Sequence, residues 1–289
     1  METVQNAYAK LNLTLDIVGD RSDGYHDLKM VMQSVELHDT VRIRESADEK
    51  ITIECAERFI PRNSNNLAAK AAERFFETSG VSRRGLLIAI DKVIPVCAGM
   101  AGGSSDAAAV LLALRRMYAP GMSIETLCTI GESVGSDVPY CVFGGTALAE
   151  GKGERLTGIS PMPYVPVVIC KPDFPISTPE LFALVNMKKI NLRPDTIGMI
   201  KSLEHADVEG AARRLYNVFE DVLPKKYGEV ARIKNRMFDL GAAGACMTGS
   251  GPTVFGLFRD DETAERAYAS LSENYSRTFL TRTRSEPNT

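Results

Sequence analysis

The chain has 289 residues, 44% hydrophobic and 25% charged, enough to bury a sizeable core and, at roughly 100 to 200 residues per domain, to form two lobes with a cleft. Its net charge of −3 supplies no global basic field for nucleic acid or an anionic membrane surface, so any anion must be caught locally. The longest apolar runs, 110–114 and 165–170, fall far short of the roughly 20 residues that span a bilayer.

Six cysteines without C-x-x-C spacing, and a start METVQNAYAKLNL without an apolar signal core, suit a reducing cytoplasm. His26, His38 and His205 are too far apart in the chain to suggest a zinc site, so no structural metal is expected. There is no repeat of roughly 20 to 50 residues that would mark a solenoid.

In chain order, alternating and β-branched residues predict strands over 6–18, 26–37, 40–45 and 50–55, separated by turn signals such as Gly19 to Gly24. A helix is predicted over 66–78 and a strand over 86–90. A glycine-rich loop then opens into a helix over 107–118 that stops at Pro120-Gly121. Ser123 reads as the cap of a helix reaching residue 134, followed by strand and turn over 144–159. The proline-rich stretch Ser160-Pro-Met-Pro-Tyr-Val-Pro marks a domain boundary. Beyond it come a strand at 165–170, helical segments over 179–240, a strand at 253–258, a helix at 262–271 and a strand near 277–283, the pattern of a small α+β layer.

The loop Ala98-Gly-Met-Ala-Gly-Gly-Ser-Ser-Asp lacks both the Walker G-K-[ST] ending and G-x-G-x-x-G spacing. Its three glycines still let backbone approach a ligand closely, and the first N–H groups of the following helix carry partial positive charge. Ser104 and Ser105 add hydroxyls that suit a free or metal-bound phosphate. A plain strand-to-helix turn capped by serine explains the segment equally well. Asp106 would repel a phosphate if turned inward, so it is expected to face outward or toward magnesium.

At these residues the chain resembles the GHMP kinases, whose middle motif is a Pro-x-x-x-Gly-Leu-Gly-Ser-Ser loop, here Pro95-Val-Cys-Ala-Gly-Met-Ala-Gly-Gly-Ser-Ser. Two more motifs follow the family order: Ala7-Tyr-Ala-Lys-Leu-Asn-Leu near the start and Met247-Thr-Gly-Ser-Gly-Pro-Thr-Val-Phe near the end. Asp23-Gly-Tyr-His-Asp-Leu and Gly135-Ser-Asp-Val-Pro-Tyr are similar to the branch that phosphorylates a cytidine-diphosphate-linked polyol in isoprenoid precursor synthesis. Met100-Ala101-Gly102-Gly103 stands where many relatives have Gly-Leu-Gly-Gly.

The resemblance implies a two-domain α+β fold. An ATP-binding α+β domain with a left-handed βαβ unit would occupy residues 1–159, a ferredoxin-like α+β domain residues 160–289, and the active site the cleft between them. It implies ATP and Mg²⁺, a small-molecule cytidine diphosphate substrate, a monomer or homodimer, and no nucleic-acid or membrane partner. On this reading ATP meets Pro95, Val96, Cys97, Ala98, Gly99, Met100, Ala101, Gly102, Gly103, Ser104 and Ser105, with Asn65, Asn66 and Leu67 bordering adenine. The late loop Thr248-Gly-Ser-Gly would back the phosphate region.

An alcohol is a poor nucleophile at neutral pH, so a carboxylate beside it can accept its proton while positioning and electrostatics carry phosphoryl transfer. Alone, Asp137 reads as a helix cap ahead of Pro139 and Lys10 as a solvated strand lysine. The two motif matches together make Asp137 the base and Lys10 its electrostatic partner. Tyr25 and His26 suit a pyrimidine, with Phe182 stacking on its other face or packing in the core, and Thr178 bonding to the nucleotide. Asn12, two residues from Lys10 on the same strand face, would bind polyol hydroxyls. Competing readings are a GHMP kinase for mevalonate, homoserine or a sugar, and a non-catalytic ligand-binding protein on the same fold. A dinucleotide oxidoreductase lacks the required glycine spacing.

Overall fold

The computed structural model describes residues 1–22, 24–186, 190 and 192–288. The expected turn residue Asp23 and part of the expected 179–240 helical stretch lie outside the described residues. Eleven strands join into one hydrogen-bonded network with ten α-helices packed on it among the described residues. No helix is long and apolar enough to cross a membrane among the described residues.

The frame is a long antiparallel ribbon of β1 (Glu2–Asp20) and β2 (His26–Ser46). The sequence suggested two strands in place of β2. The chain instead stays extended through His38 and Asp39, because a register irregularity between Tyr8 and Lys10 absorbs the mismatch without a turn. A second irregularity falls between Asn12 and Thr14. Ala9, Leu11 and Leu13 therefore pack in a different core cluster from Ala7, Leu15 and Ile17, which have the same parity. The two irregularities thus bracket the stretch that carries Lys10 and Asn12.

Beside the ribbon, β3 (Ile51–Cys55), α1 (Leu67–Ser79) and β4 (Gly85–Asp91) form a βαβ unit whose strands pair in parallel. Asn66 caps α1, its side chain accepting from Ala68 N–H at 2.9 Å. The next helix, α2 (Gly102–Tyr118), begins five residues earlier than the sequence suggested, with both glycines and both serines in its first turns. It follows Ala101 at φ 59°, the left-handed turn that swings the loop into the helix. Then come α3 (Ile124–Glu132), capped by Ser123 as expected, α4 (Val138–Phe143), and a hairpin of β5 (Thr146–Gly151) and β6 (Arg155–Gly158).

After an extended connection over 160–165, β7 (Pro166–Lys171) opens the second half. Short helices α5 (Thr178–Ala183), α6 (Thr196–Glu204), α7 (Val208–Ala212) and α8 (Phe219–Val222) surround a two-residue strand β8 (Tyr216–Asn217). The chain continues through α9 (Glu229–Asp239), β9 (Gly244–Met247), β10 (Val254–Leu257), α10 (Asp261–Ser272) and β11 (Arg277–Arg284). Strand β9 was missed in the sequence because Gly-Ala-Cys-Met offers neither alternation nor β-branching.

The halves are interlocked. Strand β11 pairs along β7 and then, at Thr283 and Arg284, along β2 of the first half. Strand β8 adds in parallel to β1 at Thr14 and Leu15. Asn217, 1% exposed, donates to the carbonyls of Met247 and Gly249, both at 2.8 Å, and accepts from Phe219 N–H at 3.0 Å. It clamps the late glycine loop to the ribbon. Asn217→Ala strands those groups in the interior and should lower the unfolding free energy by about 2–4 kcal/mol. Urea unfolding followed by circular dichroism measures this, and a loss below about 1 kcal/mol contradicts the clamp.

Candidate active site

Three backbone segments far apart in sequence meet at one point. The N–H of Lys10 donates to Met100 O at 3.2 Å, tying β1 to the middle loop. The N–H of Asn12 donates to the Thr248 hydroxyl at 3.1 Å, and the Asn12 amide oxygen accepts from Gly249 N–H at 2.9 Å, tying β1 to the late loop. The two glycine loops then touch directly. Gly99 has φ +72°, and a Cβ added there would sit 2.3 Å from Thr248 O, so this contact admits only glycine.

Above the junction opens a cavity of about 1060 Å³ lined from both halves of the chain. It gathers Lys10, Asp137, Tyr25, His26, Asn66, Leu67, Thr178 and Phe182 with Pro95 to Gly99 and Ala101 to Ser104. Gly102 and Gly103 begin the 17-residue α2, so the N–H groups of its first turn and the positive end of its dipole meet the cavity. Cys97 and Ala101 hold φ of 53° and 59° without being glycine, and such strained backbone clusters at functional sites.

Asp137 occupies the N-cap position of α4, yet its side chain makes no capping hydrogen bond. The carboxylate is therefore not spent on the helix and remains half-buried at the cavity wall. Lys10 is 4% exposed and its ammonium donates to the Asn12 amide oxygen at 2.7 Å. A buried ammonium needs such partners to remain charged.

Three expected ligand contacts are corrected. Ser105 does not face the cavity: its hydroxyl donates within the fold, to Tyr8 O at 2.7 Å or Ala101 O at 3.1 Å, one turn below the cavity surface. Met100 is 1% exposed and packs in the core, contributing only its carbonyl to Lys10. Asn12 is fully buried and does not line the cavity, so it orients Lys10 and the late loop instead of meeting polyol hydroxyls. Phe182 lines the cavity and stacks on His26, centroids 5.1 Å apart and planes 8° apart, with Phe219 edge-on to it at 4.9 Å. Thr178 meets Ser250 of the late loop, hydroxyl to hydroxyl at 2.6 Å.

No motif or spacing marks the charge cluster beneath the loop. Lys92 pairs with Asp39 and, at 2.8 Å, with Asp106, all three side chains at most 5% exposed. Asp39 also accepts from the N–H groups of Val93 at 2.5 Å and Ile94 at 2.8 Å. Asp106 thus does not face outward: one carboxylate oxygen pairs with Lys92 inside the fold. Lys92 lies 14 residues from Asp106 and 53 from Asp39 along the chain, so only folding reveals the cluster. Burial first, opposed by Lys92 and helped by the Asp39 charge, brings the Asp106 carboxyl up to about 7.

That shift sets a pH dependence. The folded chain holds the Asp106 proton up to about pH 7, whereas the unfolded carboxyl releases it near pH ~4. The resulting stabilisation is complete below the unfolded value and is lost as pH rises through the folded one. Between about pH 5 and pH 8 the urea midpoint of the wild type should therefore fall relative to that of Asp106→Asn. Parallel profiles for the two proteins contradict the assignment.

Comparison with known proteins agrees with this geometry. Residues 66–145 match the GHMP kinases N terminal domain and residues 199–277 the GHMP kinases C terminal model. Proteins of Clostridium botulinum (strain Langeland) and Clostridium kluyveri named 4-diphosphocytidyl-2-C-methyl-D-erythritol kinase are each 43% identical, over 97% and 96% of this chain and 99% and 98% of their own lengths. A crystal structure of 4-(cytidine 5'-diphospho)-2C-methyl-D-erythritol kinase superposes with TM-score 0.81 at 30% identity, covering 98% of this chain and 99% of that one. A homoserine kinase from Cytophaga hutchinsonii shares the fold, with TM-score 0.76 at 18% identity over 98% of this chain and 95% of its own.

Proposed function

The chain belongs to the 4-diphosphocytidyl-2-C-methyl-D-erythritol kinase family of GHMP kinases, and we propose that it transfers the γ-phosphate of ATP to the tertiary 2-hydroxyl of that cytidine-linked substrate. The products are the 2-phosphate and ADP, a step toward isopentenyl diphosphate. The observation that carries this reading is the convergence of Lys10, Asp137 and the glycine-led start of α2 on one cavity.

The ATP phosphates lie along Gly99 to Ser104, where backbone N–H groups and the α2 dipole oppose their charge. Pro95, Val96, Asn65, Asn66 and Leu67 line the same cavity and border the adenine. At the other end Tyr25, 61% exposed, offers its face to the cytosine, with the His26 edge and Thr178 as polar contacts. Asp137 accepts the proton of the 2-hydroxyl as its oxygen bonds to the γ-phosphorus, and the bond to the β-phosphate oxygen breaks to release ADP. Lys10, aimed by Asn12, stabilises the charge that develops on the attacking and transferring oxygens.

Among the described residues no group of three or more His, Cys, Asp or Glu side chains is placed to hold an ion. Magnesium would arrive on the ATP phosphates, where it neutralises charge between the β and γ groups. A division near residue 159 into an ATP-binding part and a substrate-closing part is supported by the extended 160–165 connection and by family matches on either side of it. Six free thiols support a reducing, cytoplasmic setting.

The test is ADP release with ATP and magnesium against the diphosphocytidyl substrate, mevalonate, homoserine and galactose. Turnover is expected only with the first, and Asp137→Ala should lower kcat by roughly 10²- to 10⁴-fold, the span of general-base contributions. Turnover of another alcohol refutes the substrate, and none with any alcohol indicates a binding protein on a kinase fold.

A further inference from the structure

Asp137 sits at one end of α4, and the other end is held by residues far along the chain. The helix has six residues, so roughly 9 Å separates its ends, too short a run to be stable by itself. Its side chains from Val138 to Val142 are buried, and such apolar packing is non-directional. Directional contacts at the ends therefore set where the helix stands along its axis.

At the first end the Asp137 side chain makes no capping bond. At the second, the last carbonyls lack partners within the helix. Tyr140 O accepts from Gly144 N–H at 2.7 Å, and Asn288 serves two more. Its side-chain amide donates to Cys141 O and its backbone N–H to Phe143 O, both at 2.9 Å. The approach is close: Pro287 bridges to Gly144, and a Cβ built on Gly144, which has φ +73°, would lie 2.8 Å from the Asn288 side chain.

The segment that delivers Asn288 leaves the sheet from the row that carries Lys10. Ser34 of β2 pairs with Lys10 of β1 on one side and with Arg284 of β11 on the other. Arg284 donates to the Asn288 amide oxygen at 3.2 Å, and the Ser285 hydroxyl donates to Met162 O at 2.8 Å where the chain departs from β11. Residues 285–288 thus join the Lys10 row of the sheet to the far end of the Asp137 helix.

We propose that Asn288 is a positioning residue for phosphoryl transfer, capping α4 and so holding the Asp137 carboxylate at its working distance from Lys10. The inference rests on the reading that these two residues form the reacting pair. A base must stand within about 3 Å of the proton it takes, and a shift of about 1 Å can cost roughly 10²-fold in rate. Asn288 does not line the cavity, so its loss should reach the chemistry and spare substrate binding.

Steady-state ADP release with ATP, magnesium and the diphosphocytidyl substrate tests this in the wild type, Asn288→Ala, Asn288→Asp, Asp137→Ala and the double variant Asp137→Ala/Asn288→Ala. Asn288→Ala should lower kcat roughly 10- to 100-fold and leave both KM values within about 2-fold. Asn288→Asp, which keeps the shape of the side chain without its donor, should lose as much. The double variant should be no slower than Asp137→Ala, because the cap acts through that carboxylate. Wild-type kcat in either Asn288 variant overturns the proposal, as does a loss confined to KM. An equal loss on the Asp137→Ala background also overturns it, since that would make Asn288 a structural prop alone. Asp137→Ala that turns over at the wild-type rate overturns the reading beneath the proposal, whatever the Asn288 variants do.

Discussion

The amide oxygen of Asn12 is the acceptor on which this site depends. It receives the Lys10 ammonium at 2.7 Å and the Gly249 N–H at 2.9 Å, while the Asn12 N–H holds the Thr248 hydroxyl at 3.1 Å. One buried side chain thus aims the cleft cation and fastens the late loop, 237 residues away in sequence, to the first strand. Gly99 then packs against the carbonyl of Thr248, so the middle loop takes its position from the same junction. An apolar residue at 12 would leave a buried ammonium and a backbone N–H without acceptors, and both losses are severe in a dry interior.

The second constraint is electrostatic. A cleft built for polyphosphates needs positive charge without exposing the carboxylates that balance it. The fold divides that work. On the proposed function, backbone N–H groups of α2 would face the phosphates and Lys10 would serve the reacting oxygens, while Lys92 is taken up by Asp39 and Asp106. With two carboxylates to one ammonium and burial as the largest cause, the cluster raises the Asp106 carboxyl to about 7.

Much of the architecture was legible from local pattern. Alternating strands, the Ser123 cap and the glycine loop before α2 declare themselves because their signals lie within a few residues. What the pattern missed was long-range. Strand β2 stays continuous because a bulge takes up the mismatch with β1, and β9 forms from Gly-Ala-Cys-Met because β10 is beside it. At the site, Lys10, Asp137 and the loop were found through motif resemblance, whereas Ser105, Met100 and Asn12 were assigned to ligand when their side chains turn inward. Residues adjacent in a motif alternate between cavity and core once the loop becomes a helix, and no spacing rule distinguishes Ser104 from Ser105. Lys92 was not marked by any motif because a lone lysine is usually solvated; only its folded neighbours single it out.

The most direct test of the central claim is the position of the transferred phosphate. Proton-coupled ³¹P NMR of the product formed from ATP and the diphosphocytidyl substrate reads it without ambiguity, because a tertiary carbon carries no hydrogen to split the signal. The account predicts one new phosphomonoester singlet on a product that still carries its cytidine diphosphate. A triplet or doublet would place the phosphate on a primary or secondary hydroxyl and contradict the placement of the 2-hydroxyl against Asp137 and Lys10; ATP consumption that yields only free phosphate would contradict transfer itself.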